Sequence, residues 1–240
     1  MSEPANSDLK FLCVGFMKTG LTSLHDTAET LGLSVRHRRF KIWRAFLRGD
    51  YETVMAFYDT ADLFVDWPHP YMYRPFLEKY RERARIILTL REPNDWYESL
   101  LRHNAHAHPI THSQTHIFGR YYPHGFKDDH IAIYNAHNDA VQSYFQSRGL
   151  TDQLLILNME DSDNLERFEH FTGRTAQAGG YAHSNISAKR THRDVVDVFR
   201  EQYNKLVQPA YARWAPRLFG APGRYRTAIS AETWRPGSEF

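Results

Sequence analysis

GFMKTGLTS, residues 15–23, joins the apolar run FLCVGF (11–16) to a helical pattern that begins near Leu21. Gly15 and Gly20 keep the G-x-x-x-x-G spacing of a nucleotide-hydrolysing loop, but the usual Gly-Lys-Ser/Thr ending is absent. Leu21 stands where the lysine belongs, and the lysine is inside the loop as Lys18. A strand that feeds a glycine turn into a helix N-terminus gathers backbone N–H groups and the positive end of the helix dipole at one spot, so an anion belongs there. Glycine lets the backbone approach that anion without a Cβ in the way, and Thr22 and Ser23 offer hydroxyl donors, although Ser23 equally suits an N-terminal cap.

The position of Lys18 separates two chemistries. Magnesium-dependent phosphoryl transfer places lysine at the β- and γ-phosphates and the next hydroxyl on the metal. A lysine within the loop can instead neutralise the oxygen that bridges a leaving phosphate to the transferred group, with no metal required.

Outward from the loop, short apolar runs recur at SVRHRRF (34–40), LFVD (63–66), RIILTL (85–90) and LLILNM (154–159). Helical patterns separate them: Leu21, Leu24, Ala28 and Leu31 form one stripe, and others cover 71–83, 94–104, 128–149, 163–173 and 193–214. Strands that alternate with helices imply crossover units, hence an α/β fold with a central parallel sheet of about five strands. The chain reads as one domain over 1–240, with a flexible N-terminus at 1–9 and a tail at 224–240 in which Trp234 either caps the core or folds over the cleft. Segment 106–125 is irregular, rich in His and aromatics, and long for a connection, which suits a binding loop.

Thirty basic against 28 acidic residues leave almost no net charge, so neither a nucleic-acid coat nor a membrane-surface role is suggested. The single cysteine, Cys13, lies in an apolar run and argues for core packing in a reducing compartment. The polar N-terminus and the lack of a long apolar run exclude a secretory signal and a membrane span, and a cytoplasmic protein is expected.

A second motif lies in RIILTLREPNDWYESL (85–100), where a strand runs into Arg91, then Pro93 and a helix that carries Ser99. A guanidinium at a strand's carboxyl end can bind phosphate with two parallel N–H bonds. LFVDWPHPYM (63–72) ends its strand with Asp66 before Pro68, followed by His69; a strand-end Asp also suits a metal-binding P-loop enzyme, so this segment alone leaves both readings open.

Together, GFMKTGLTSL and R-E-P-x-x-x-x-x-S resemble the two donor-binding elements of the sulfotransferases that use 3′-phosphoadenosine 5′-phosphosulfate. The resemblance covers roughly 10–190 and implies a P-loop three-layer α/β/α fold. Gly15, Lys18, Thr19, Gly20, Thr22 and Ser23 would hold the 5′-phosphosulfate, and Arg91 and Ser99 the 3′-phosphate. Leu21 departs from the family's second Thr. In many soluble members the base is a His two residues before a proline at this strand end, where Asp66 stands, and related bacterial members use an acid. Asp66 is therefore the first candidate base and His69 the second. A late basic loop is also implied, to which Lys189 and Arg190 in HSNISAKRTHR correspond. The expected acceptor is a small alcohol or phenol; no metal, nucleic acid or membrane is implied, and self-association stays open. His103, His106, His108, His112 and His116 suggest zinc by spacing, but Pro109 interrupts them and no Cys or acid joins. With Phe118, Tyr121 and Tyr122 they suit the acceptor cleft better. The competing classes are a P-loop small-molecule kinase or nucleotide hydrolase, and a non-catalytic nucleotide-binding homologue.

Overall fold

The computed structural model describes residues 8–105, 115–119 and 125–175, together with helical positions between 198 and 218. Five parallel strands form one sheet: β1 Lys10–Cys13, β2 Val35–Arg36, β3 Leu63–Phe64, β4 Ala84–Leu90 and β5 Leu154–Asn158, in the order β2-β3-β1-β4-β5. Helices α1 Leu21–Thr30, α2 Phe40–Leu47, α3 Tyr51–Phe57, α4 Tyr73–Tyr80, α5 Pro93–Asn104, α6 Thr115–Phe118, α7 Lys127–Ser147 and α8 Asn164–Thr172 make the crossovers. This is the three-layer α/β/α arrangement expected from the alternation of strands and helices.

Period-two alternation sorts the strand residues between two buried layers. Leu12 and Val14 of the β1 segment join Phe64, Ile86 and Leu88 under α2, α4, α5 and α7. Phe11 and Cys13 face the other way, with Leu63, Ile87 and Leu155, under the α1 stripe of Leu21, Leu24 and Ala28 and Phe168 of α8. Both faces are covered, as a parallel sheet requires, and full burial of each such aliphatic side chain contributes about 1.5–3 kcal/mol. Burial raises the Cys13 thiol to about 11, in keeping with a packing role.

Three helices were not foreseen: α2, α3 and the four-residue α6 within the segment 106–125 that reads as irregular. The run 34–40 reads as a strand, yet β2 ends at Arg36 and α2 opens at Phe40. The basic stretch from Arg36 to Arg39 has no apolar face to bury, and the apolar pattern resumes at helical spacing with Ile42, Trp43, Ala45 and Phe46, all buried. The Asp50 carboxylate then caps α3 by accepting the Thr53 N–H at 3.1 Å. No helix among the described residues is long and apolar enough to cross a membrane.

Two histidines sit inside this core. His69 shares a hydrogen bond with the Tyr58 hydroxyl at 2.9 Å, and His137 of α7 donates from Nε2 to the Val14 carbonyl at 2.8 Å. Burial holds their pKa values at about 3 and about 4, so both are neutral in the native protein. An unfolded chain protonates its histidines near pH 6.5, so the stabilisation they give is present above that pH and is lost as pH falls towards 4. Urea midpoints measured between pH 7.5 and pH 5 should therefore decline, by up to about 1.4 kcal/mol per pH unit for each histidine. A flat profile over that window contradicts this account of the core.

Candidate functional site

The loop after β1 is fixed by one close approach. Val14 N–H donates to the Ile87 carbonyl at 2.8 Å, which carries the chain along β4 to Thr89. A Cβ built on Gly15 would lie 2.0 Å from Thr89 Oγ1 and 2.6 Å from its carbonyl oxygen, so only glycine fits here. Thr19 Oγ1 donates to the Phe16 carbonyl at 2.6 Å; its single proton is thereby used, and the 2.6 Å contact with Thr89 Oγ1 has Thr89 as donor. Trp96 of α5 donates from Nε1 to the Met17 carbonyl at 3.0 Å.

These bonds orient the loop. The carbonyls of Val14, Phe16 and Met17 all accept from inward-facing side chains. In a trans peptide the following N–H points the opposite way, so the Met17 and Lys18 amides are turned away from those partners, whereas the Gly15 N–H meets the buried Cys13 thiol in the opposite layer. Lys18 is left-handed at φ 72° and Gly20 at φ 96°, the latter at the N-cap position of α1 with no side-chain cap. Backbone amides and a helix N-terminus thus converge where the sequence places an anion.

The predicted hydroxyls divide. Thr22 is exposed and Ser23 half-buried in the first turn of α1, but Thr19 is buried with its hydroxyl committed to the protein. Ser23 is not the cap, since Gly20 holds that position. Leu21, which replaces a family hydroxyl, points into the apolar layer with Leu24 and Ala28.

Asp66 stands two residues beyond β3, the strand paired with β1 on the side away from β4. It too is left-handed, at φ 75°, and its Oδ1 accepts the Trp67 N–H at 2.8 Å. The Trp67 ring packs 4.9 Å from Phe16 of the loop, and the Asp66 carboxylate acts on Cys13 at the end of β1, so Asp66 borders the anion loop. Burial raises its pKa; the Trp67 N–H and then the Arg38 guanidinium oppose the rise. The Trp67–Pro68 bond is cis.

His69 is a different case. It is fully buried among the rings of Phe57, Tyr58 and Phe64, and its Nε2 makes no hydrogen bond. A group held neutral with a pKa of about 3 is a poor proton acceptor. The second candidate base is therefore a core residue.

Arg91 follows β4 directly, half-buried at the carboxyl edge of the sheet. Tyr134 of α7 clamps its backbone: the hydroxyl accepts the Arg91 N–H at 2.9 Å and donates to the Arg91 carbonyl at 3.0 Å. Pro93 opens α5, capped by the Glu92 carboxylate accepting the Asp95 N–H at 2.8 Å. Ser99 is buried on that helix at 5% exposure, beside Leu100 and behind the first turn.

Thr89, Trp96, Tyr134 and His137 were missed by sequence reasoning. The available signal was the recurrence of polar His130, His137 and Asn138 on the same buried face of α7 as Ile133, Tyr134, Val141 and Phe145. Lys189 and Arg190 lie outside the described residues, as do Asn185, Ser187, Arg193, His106, His108, His112, Tyr121, Tyr122 and Trp234. His103 is exposed, His116 is half-buried and Phe118 packs into the core. Among the described residues no group of three His, Cys, Asp or Glu is arranged to hold a metal.

Gly15→Ala should force the loop off β4, because the obstructing Thr89 atoms include backbone. We expect a stability loss of about 1–3 kcal/mol in urea unfolding. Unchanged unfolding would show that the loop does not rest on β4.

A profile of the sulfotransferase domain matches residues 10–190, a span that runs from β1 past α8 and contains the loop, Asp66 and the Arg91–Ser99 element. A comparison with curated proteins returns no match. With three quarters of its length matched, and the parallel sheet and glycine loop arranged as described, the chain belongs to the sulfotransferase family.

Proposed function

We propose that this chain transfers a sulfuryl group from 3′-phosphoadenosine 5′-phosphosulfate to a hydroxyl of a small-molecule acceptor, as one cytoplasmic domain over 1–240. The observation that supports this most is the arrival of the Lys18, Asp66 and Arg91 backbones at adjacent strand exits of one sheet edge.

Loop amides and Lys18 hold the 5′-phosphosulfate, with Thr22 and Ser23 at the first turn of α1. Arg91 takes the 3′-phosphate from the clamped end of β4; Ser99 and the late residues Lys189 and Arg190 are assigned to the same phosphate. Asp66 orients the acceptor hydroxyl and accepts its proton. The acceptor oxygen forms a bond to sulfur as the bond from sulfur to the phosphate oxygen breaks, and adenosine 3′,5′-bisphosphate leaves with that oxygen's charge neutralised by Lys18. Thr19 serves the loop through its backbone, since its hydroxyl is bound within the protein.

Calorimetric titration with adenosine 3′,5′-bisphosphate against magnesium–ATP tests the reading. The bisphosphate should bind more tightly, and Lys18→Ala should lower turnover of labelled donor about a hundredfold or more while the protein stays folded. Preference for magnesium–ATP would favour a kinase instead.

Asp66 carries a second expectation. Because burial raises its folded pKa, its stabilising contribution is present below the unfolded value near 3.9 and is lost as pH rises through the folded value. At neutral pH the native carboxylate is thus a cost to the fold. Asp66→Asn, which tolerates the left-handed backbone and still accepts the Trp67 N–H, should keep or raise Tm at pH 7 while turnover collapses. The acid limb of kcat/KM should lie above the ordinary carboxylate range in the wild type. Retained turnover in Asp66→Asn excludes this residue as the base.

A further inference from the structure

The stretch RHRRFK, residues 36–41, was read only as part of a weak strand, yet it leaves the sheet beside the candidate base. In the parallel pairing of β2 with β3, Val35 lies opposite Leu63 and Arg36 opposite Phe64. The Val65 N–H then donates to the Arg36 carbonyl at 3.0 Å, so the register holds past the last paired residue. Asp66 is one residue past that bond and Arg38 two, both beyond the paired strands and Asp66 left-handed, so the two chain exits lie side by side at the carboxyl edge.

Arg38 and Arg39 are both exposed at this edge, and α2 begins immediately after them. Phe40, the first residue of α2, is 71% exposed, and the Arg44 guanidinium stands 5.6 Å from its ring centroid. Arg38 acts on Asp66 itself. Arg91 and the loop lie on the other side of β3, towards β1 and β4, so the β2 exit borders the acceptor side of the edge and not the donor side.

A basic run usually marks a solvated face. Here it leaves the sheet beside the residue assigned to receive the acceptor's proton, with an exposed aromatic ring next to it. We propose that the acceptor is an anion: a hydroxylated molecule whose carboxylate or phosphate group is held by Arg38 and Arg39 while its hydroxyl reaches Asp66. This rests on the sulfotransfer reading above and specifies its substrate class. It narrows the small alcohol or phenol expected from the sequence to one that carries a negative charge.

The experiment uses the full chain and two matched pairs of probes, 4-hydroxyphenylacetate against its amide and glucose 6-phosphate against glucose. Binding is measured by calorimetry in the presence of adenosine 3′,5′-bisphosphate, at low and at high salt. In at least one pair the anionic member should bind about fivefold or more tightly. The difference should shrink with added salt and disappear in Arg38→Gln/Arg39→Gln. Affinity for adenosine 3′,5′-bisphosphate should be the same in that variant as in the wild type. Equal binding within both pairs, no binding by either anion, or an anion preference that survives the double substitution would overturn the proposal. A loss of bisphosphate affinity in the variant would also overturn it, by moving these arginines to the donor side. Failure of the wild type to bind the bisphosphate would count against the sulfotransfer reading, whereas the anion preference within each pair is read separately from it.

Discussion

The backbone contact between Gly15 and Thr89 is the constraint on which the site depends. A loop that must present amides to an anion has to turn its carbonyls elsewhere, and a buried carbonyl without a donor is costly. Gly15 lets the chain lie against β4, and that proximity brings Thr89 to Thr19, Trp96 to Met17 and His137 to Val14. The loop's inward face is satisfied by side chains from β4, α5 and α7, and its outward face is set by peptide planarity. Cys13 and Leu21 complete the support from the opposite layer, filling space under α1.

Backbone strain has collected at the same edge. Among the described non-glycine residues with positive φ, Lys18 and Asp66 are two of three, the other being Arg81. A non-glycine residue in this region costs on the order of 1–3 kcal/mol and persists only where the surroundings over-determine it. Here the surroundings are rigid: Phe16 packs against Trp67 on one side and stacks on His137 at 4.4 Å on the other. The fully buried aromatic layer therefore holds both the lysine and the carboxylate in conformations that neither would choose alone.

Much of the architecture was legible because apolar runs between helical stripes leave few alternatives to a parallel sheet. What escaped was α2, α3 and α6, whose lengths of eight, seven and four residues give too few turns for a clear period, the first also approached through Arg36–Arg39, which imitates a strand. In the candidate site, the backbone positions of Gly15, Lys18, Gly20, Asp66 and Arg91 were legible because spacing and strand ends fix where the chain leaves the sheet. Side-chain direction is another matter. Thr19, Leu21 and His69 all turn inward, since each faces a layer assembled from segments far away in the chain. Tyr134 and His137 were invisible for the same reason, as their partners are main-chain atoms of Arg91 and Val14, which carry no sequence signature.

Those last two residues are three apart on α7, hence on one face and separated by about 4.5 Å along its axis. One grips the exit of β1 and the other the exit of β4. The helix thereby works as the fixed jaw of a calliper: it holds the main chain at both exits from one rigid face, so their spacing does not depend on the length of the loops that follow.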